Sequence, residues 1–248
     1  ADTMFLWHPN VAPQRLRRFS DALWDFSATP FTVQPFDEQG YTPASALTLG
    51  AVSGATTATA AVAVFLASDV GRNLYSQAGT AVITGYTSTT VVSIGVVNAF
   101  ASTAIASGNW TMDVSPQTTC TPSALGPVGA GMNLTLAVAG WRVGVDEGKF
   151  VRVNGGIARV YSITSTTIAV GIIVSVMSSL TAAPALSWSL EASMWSAANG
   201  YPRTGTLFEQ RLWAGGSAKY PQTVWGSKTG LYLDFTKGPN DSDACIFT

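Results

Sequence analysis

The chain has 248 residues, of which 47% are hydrophobic and only 11% charged, with a formal net charge of −1. An average soluble domain carries roughly 25% charged residues, so the surface is neutral and charge-poor. That excludes a protein whose main business is gripping phosphate backbones, because such binding is electrostatic and needs a basic face.

Along the chain, residues 1–38 hold eight charged side chains (Asp2, Arg15, Arg17, Arg18, Asp21, Asp25, Asp37, Glu38) and residues 191–248 hold ten, which leaves nine for everything between. The two ends are alike and the middle differs, which predicts a discontinuous terminal domain (1–38 plus 191–248) interrupted by an insertion. The insertion is duplicated. Asp69-Val70-Gly71-Arg72 and Asp146-Glu147-Gly148-Lys149 lie 77 residues apart, as do Thr90 and Thr167, while Trp110 and Trp188 lie 78 apart. Thr42-Pro43 and Thr121-Pro122 open the two copies, which predicts one module over 39–112 and another over 113–190. A small β-domain kept twice points to shape and surface rather than catalysis, since a catalytic site is seldom needed twice in one chain.

Within each copy, β-branched runs alternate with Gly, Ser, Thr and Asn clusters, the pattern of short strands and turns. Val91–Val97 and Ile168–Val174 read as equivalent strands. Their apolar residues fall at successive positions, which predicts cover on both faces and a closed small barrel or sandwich. Each Asp-x-Gly is expected to turn the chain, with Asp bonding its own backbone two residues on and Gly taking positive φ. Arg72 and Lys149 are then expected in solvent. The longest apolar run, Thr167 to Met177, is too short to span a bilayer and reads as a buried strand. No basic stretch followed by an apolar one opens the sequence, and Ala1 in place of Met suggests a processed chain or an excised fragment. Cys120 and Cys245 lie in no metal-ligand spacing and read as two free thiols, with a long-range disulfide left open.

Catalytic chemistry finds little support. The single histidine, His8, has Ser20, Asp21 and Asp25 nearby in sequence but no nucleophile elbow, and reads as a turn or packing residue. Asp234, Asp241 and Asp243 offer oxygen ligands without the Gly and Glu positions of a calcium loop. Glu191, Glu209 and Asp234 are the carboxylates that would have to meet for glycoside hydrolysis, and nothing in their spacing recommends it. Gly126–Gly131 lacks the Lys-Ser or Lys-Thr of a phosphate loop. Arg15, Arg17 and Arg18 form the only basic cluster, read as a salt-bridged edge against a contact to nucleic acid or an acidic neighbour. No enzyme activity, cofactor or metal is expected. Aromatic residues crowd 195–248, as in propeller blades and subunit interfaces, or a sugar-binding groove. Tyr86 and Tyr161, taken as equivalent in the two copies, and Trp213 and Trp225 are the candidate interface or glycan contacts.

The C-terminal pieces Gly200-Tyr201-Pro202, Phe208, Gln210-Arg211-Leu212, Gly215, Pro221-Gln222-Thr223, Trp225, Ser227, Gly230 and Asp234-Phe235 resemble the signature of tail nozzle (tail tubular) proteins of short-tailed bacteriophages. His8-Pro9, Pro13 and Leu16 are similar to that family's upstream segment. One departure is Gly230-Leu231-Tyr232-Leu233-Asp234-Phe235, where the family usually has Gly-Asp-x-x-x-Phe. Because family members are longer, the chain is expected to be an internal piece. The resemblance implies an all-β fold, with two tandem small barrel or sandwich modules inserted into a discontinuous β-propeller-like body. It implies a virion structural protein of the tail, ringed with its own copies, expected as a hexamer, whose channel conducts DNA without sequence specificity during ejection. Its partners would be portal-side adaptor proteins and tail fibres, with no membrane span. The alternative is a receptor-recognition module that binds host-surface glycans.

Overall fold

Short strands closed by turn residues build every part of the molecule. The computed structural model describes residues 2–113 and 115–248. It is all-β, with about 48% strand and 1% helix, in several sheets of which one curls into a half-barrel. The chain divides into two compact units, Ala1–Asp37 with Ser193–Thr248, and Glu38–Ala192.

The first unit begins with β1 (Asp2–His8), β2 (Val11–Arg18), β3 (Trp24–Ala28) and the short β4 (Phe36–Asp37). β1 to β3 form an antiparallel sheet in that order. His8 helps set the first hairpin, its Nδ1 accepting the Asn10 N–H at 3.2 Å.

The second unit runs through β5 (Leu47–Leu49), β6 (Ala55–Ala60), β7 (Asn73–Ser76), β8 (Gly79–Tyr86), β9 (Val91–Asn98), β10 (Ala104–Ile105) and β11 (Thr111–Met112). These pair antiparallel in the order β10-β5-β6-β9-β8-β7-β11. Its second half repeats the plan with β12 (Cys120–Pro122), β13 (Gly131–Leu136), β14 (Phe150–Val153), β15 (Gly156–Ser165), β16 (Ile168–Ser175) and β17 (Ser189–Ser193), in the order β12-β13-β16-β15-β14-β17. Each strand of one sheet has its counterpart in the other, and Ala183 bridges Cys120 where Ile105 pairs with Leu47. The repeat in sequence is therefore a repeat of topology.

Local chemistry explains the shared turns. Ser88 and Ser165 sit at the tips of the β8–β9 and β15–β16 hairpins, where each hydroxyl accepts the N–H three residues on at 3.1 Å. Such local bonds favour a turn over continued strand. Each sheet buries an indole whose N–H finds a backbone carbonyl: Trp110 donates to Ser45 O at 2.7 Å and Trp188 to Thr118 O at 2.8 Å. The expected cover on both faces of β9 is not observed. Val92 and Ile94 are buried, whereas Val91 and Val96 are half-buried and Val97 is exposed. Val96 packs against the core from the buried face, so the outer-face valines are Val91 and Val97, which suit a pleated strand without a second layer over them.

The first unit closes with β18 (Thr204–Phe208), β19 (Arg211–Gly215), β20 (Val224–Gly226) and β21 (Cys245–Phe247), a four-stranded antiparallel sheet in chain order.

Candidate functional site

The two terminal segments of the chain converge on one aromatic core. Trp195 is its hub, with ring centroids 5.1 Å from Phe235, 5.3 Å from Phe31, 5.6 Å from Trp225 and 6.4 Å from Trp7. All four of these contacts are edge-on at 67° to 89°, the arrangement favoured by ring quadrupoles. Backbone bonds stitch the two halves together: Thr32 N–H to Leu233 O at 2.9 Å, Phe235 N–H to Val33 O at 3.0 Å and Tyr201 N–H to Pro9 O at 2.9 Å. Gly200 must be glycine, because its φ is +76° and a Cβ would lie 2.9 Å from the backbone N of Ala218. Arg211 spends its guanidinium on three backbone carbonyls, those of Ser227, Asp243 and Asp241. Trp225 is fully buried, with its N–H directed at the Met194 sulfur. It is a core residue and offers no surface contact, which corrects the expectation for it.

The Asp234, Asp243 and Glu191 carboxylates are each engaged locally. Asp234 and Asp243 flank the Lys228 ammonium at 3.9 and 3.6 Å, so a protein cation already stands where a metal was considered. Glu209 and Gln210, with φ of 48° and 58°, form the two-residue turn joining β18 and β19, the geometry that matches strand twist. Glu191 belongs to the other unit, where it accepts from Arg152 Nε at 3.0 Å and the Ser189 hydroxyl at 2.8 Å. Among the described residues no cluster of three or more His, Cys, Asp or Glu is placed to hold a metal, and no helix is long and apolar enough to cross a membrane. Cys120 and Cys245 are free thiols, and burial pushes Cys120 up to about 12.

Two faces of this unit present apolar side chains outward. In the β1–β3 sheet, Met4, Leu16 and Phe26 stand in one cross-strand row, flanked by Trp24 and Leu6 in the rows on either side. Phe26 is 66% exposed, Trp24 54% and Met4 53%. The arginines of this sheet are satisfied at home: Arg17 grips Asp25 at 2.8 Å, Arg15 donates to Ser27, and Arg18 meets Asp21 at 3.1 Å. The second face belongs to the β18–β21 sheet, where Trp213 stacks on exposed Phe247 (centroids 6.3 Å, 22°) and Val224 is exposed in the same row as Phe247. Trp213, half-buried on the outer face, remains available for contact.

In the inserted unit, the two repeated acidic turns do different work. Gly71 and Gly148 take φ of +93° and +83° as turn glycines. The aspartates reach backward instead of forward: Asp69 Oδ2 accepts the Leu66 N–H at 2.9 Å and Asp146 Oδ2 accepts the Arg142 N–H at 2.8 Å. Arg72 is wholly buried, not in solvent, and pairs with Asp69 at 2.5 Å. Lys149, half-buried, pairs with Asp146 at 2.8 Å. Arg142, which stands in the second copy where Leu66 stands in the first, crosses to Asp69 with both contacts from Nη2, at 2.7 and 2.6 Å. Its guanidinium also lies over the Tyr41 ring, 4.8 Å from the centroid. Ser68 N–H to Ala139 O at 3.1 Å and Gln117 N–H to Ser68 O at 2.8 Å complete the seam. One buried carboxylate thus joins the two sheets, and burial holds Arg72 below the usual guanidinium range. Nothing in the sequence distinguishes Asp69 from Asp146, apart from the Leu66-to-Arg142 exchange.

Tyr161 is 73% exposed and Tyr86 is also exposed, but they are not equivalent. Tyr86 pairs with Val92 and its counterpart Ile163 with Ala169, whereas Tyr161 sits at the irregularity between Val160 and Ser162. A cleft of about 630 Å³ opens on the same unit, lined by Glu38, Tyr75, Asp113, Gln117, Arg152 and Leu186 among others. Asp113 there accepts the N–H and side-chain amide of Asn73, both at 2.9 Å. No family model and no curated protein shows a match to this chain.

Proposed function

We propose that the chain is a structural component of a short-tailed phage tail nozzle, forming a ring whose channel conducts the genome during ejection. The observation that carries this reading is the convergence of two distant signature-bearing segments on the Trp195 core. His8-Pro9, Gly200-Tyr201-Pro202, Arg211, Trp225 and Phe235 all act there as turn, clasp or packing residues. The four-stranded β18–β21 sheet has the size and antiparallel order of one propeller blade. A charge-poor wall suits a DNA conduit, because it holds a passing polyanion weakly. The role of the chain is mechanical: neighbouring copies, portal-side adaptors and tail fibres hold the ring, and DNA slides through without sequence recognition. Cryo-electron microscopy of the phage that encodes this chain tests the proposal. Density in the tail below the portal is expected, and density elsewhere in the particle overturns it.

A second reading, a host-glycan-binding module, draws on exposed Tyr161 and on the cleft beside Tyr75. Glycan-array binding that disappears in Tyr86→Ala and Tyr161→Ala variants supports it, and a silent array removes it.

A further inference from the structure

The cleft on the inserted unit draws on the same two places of both copies. Tyr75 on β7 pairs with Thr111 on β11, and Arg152 on β14 pairs with Ser189 on β17, so each copy contributes one long and one hydroxyl side chain at matched positions. Asp113 follows Thr111 by two residues as Glu191 follows Ser189, and each carboxylate is bonded within its own copy, Asp113 to Asn73 and Glu191 to Arg152. Burial first and the neighbouring Asp113 carboxylate second raise the Tyr75 hydroxyl above its ordinary value of 10. The segment joining the copies adds Gln117 and Ser115, whose hydroxyl donates to Glu38. Met112 and Trp188, which line the cleft as well, belong to the two separate cores, so the site rests on packed elements.

At about 630 Å³ the cleft has the size of a small-molecule site, roughly 300–1,000 Å³. Its lining narrows the ligand. Glu38 and Asp113 set two carboxylates against one guanidinium, that of Arg152, whose Nε is already spent on Glu191 at 3.0 Å. A phosphate, a nucleic acid or an acidic sugar would face like charge there. An apolar molecule would bury those carboxylates and give them nothing in place of water. What remains is a neutral ligand dense in hydroxyls, each able to donate to a carboxylate and to accept from an amide. Tyr75, 39% exposed, supplies a flat apolar surface for the C–H face of a sugar ring.

We propose that this cleft binds a neutral oligosaccharide, with Asp113 and Glu38 accepting from its hydroxyls, Gln117 donating to them and Tyr75 lying against a ring face. The duplication thereby makes one site from two copies, and the exchange of Tyr75 for Arg152 leaves its two sides unlike. The inference rests on the second reading above, which it narrows to one ligand class and to residues other than Tyr86 and Tyr161.

On an array of neutral, sialylated and sulfated glycans, the full chain is expected to bind neutral members only. A neutral oligosaccharide so found, titrated by calorimetry, is expected to bind roughly tenfold more weakly to Tyr75→Ala and to Asp113→Asn. Thr111→Trp, which fills the cleft, is expected to abolish binding, while Tyr161→Ala binds unchanged. Circular dichroism checks the fold of each variant, and because the three act at different positions, loss of fold in one leaves the others to decide. Signals confined to acidic glycans, binding that survives Thr111→Trp, or a silent array overturns the cleft. Binding that survives Thr111→Trp and disappears in Tyr161→Ala does so while keeping the glycan module. Conversely, neutral-sugar binding that Thr111→Trp abolishes, in a phage that still adsorbs normally with that substitution, keeps the cleft and removes host recognition.

Discussion

Asp69 and Asp146 occupy the same place in two copies of one sheet, and each holds a backbone N–H just upstream and a cation three residues on. They differ in what else they carry. Asp69 serves Arg72 and Arg142 with no solvent access, so its removal strands two guanidiniums in a buried seam. Asp69→Ala is expected to cost about 3–5 kcal/mol, the range for breaking a buried ion pair from one side, measured by urea unfolding. Arg142→Leu restores the residue of the first copy and leaves the Asp69–Arg72 pair intact, so its cost is expected to be smaller, about 1–3 kcal/mol. Equal costs for the two variants would show that the seam does not depend on the shared carboxylate. At the exposed β1–β3 sheet, the hydrogen bond from Arg17, followed by that from Ser27, holds Asp25 below its ordinary value of 3.8. A depressed carboxylate contributes above its unfolded value and its contribution is lost as pH falls through the folded one. NMR titration is expected to place the Asp25 midpoint below 3.8, rising in Arg17→Leu; an unmoved midpoint rejects the pairing.

The paired sheets solve the same packing problem with different side chains. In the first, Ala58 faces Val92, and Ile94 stands one pair further along β9 from Val92 on the buried face. In the second, Leu134 faces Ala169, and Gly171 takes the place of Ile94. A Cβ on Gly171 would lie 3.3 Å from Leu134 Cδ1, so the leucine fills the space that the missing side chain leaves. Leu134→Ala alone is expected to cost about 2–5 kcal/mol through the cavity it opens. Adding Gly171→Ile should return part of that loss, whereas Gly171→Ile alone should destabilise by overpacking. Strictly additive thermal shifts in the double variant would reject the compensation. The duplicated hairpins were legible because Ser88 and Ser165 act through bonds to residues two and three positions on, which a linear pattern records. The match of Tyr86 with Tyr161 fails on the count itself: the copies run 77 residues apart, so Tyr86 corresponds to Ile163 and Tyr161 to Thr84, and both copies carry the same irregularity at that point.

At the scale of the molecule, the inserted unit returns the chain close to where it left: Gln39 donates its side-chain amide to Ala192 O at 3.0 Å. With two hydrophobic cores of its own, each centred on a buried tryptophan, residues 38–192 are expected to fold when expressed alone. Calorimetry should show one cooperative transition for that piece, and an unstructured product would mean that its stability is borrowed. The contrast in charge between ends and middle corresponds to a physical difference. Both units close turns with serine hydroxyls, and the terminal unit adds charged clasps, Arg211 on backbone carbonyls and Lys228 between the Asp234 and Asp243 carboxylates.

By itself, the sequence determined the all-β class, the duplication and the position of its turns, because alternation, turn residues and local side-chain bonds act over a few positions. Only the tertiary structure decided that Arg72 is buried, that Trp225 is core while Phe26 is surface, and that Asp69 alone among the repeated aspartates joins two sheets. Burial and ion pairing depend on what arrives from distant parts of the chain, and Arg142 reaches Asp69 across 73 residues.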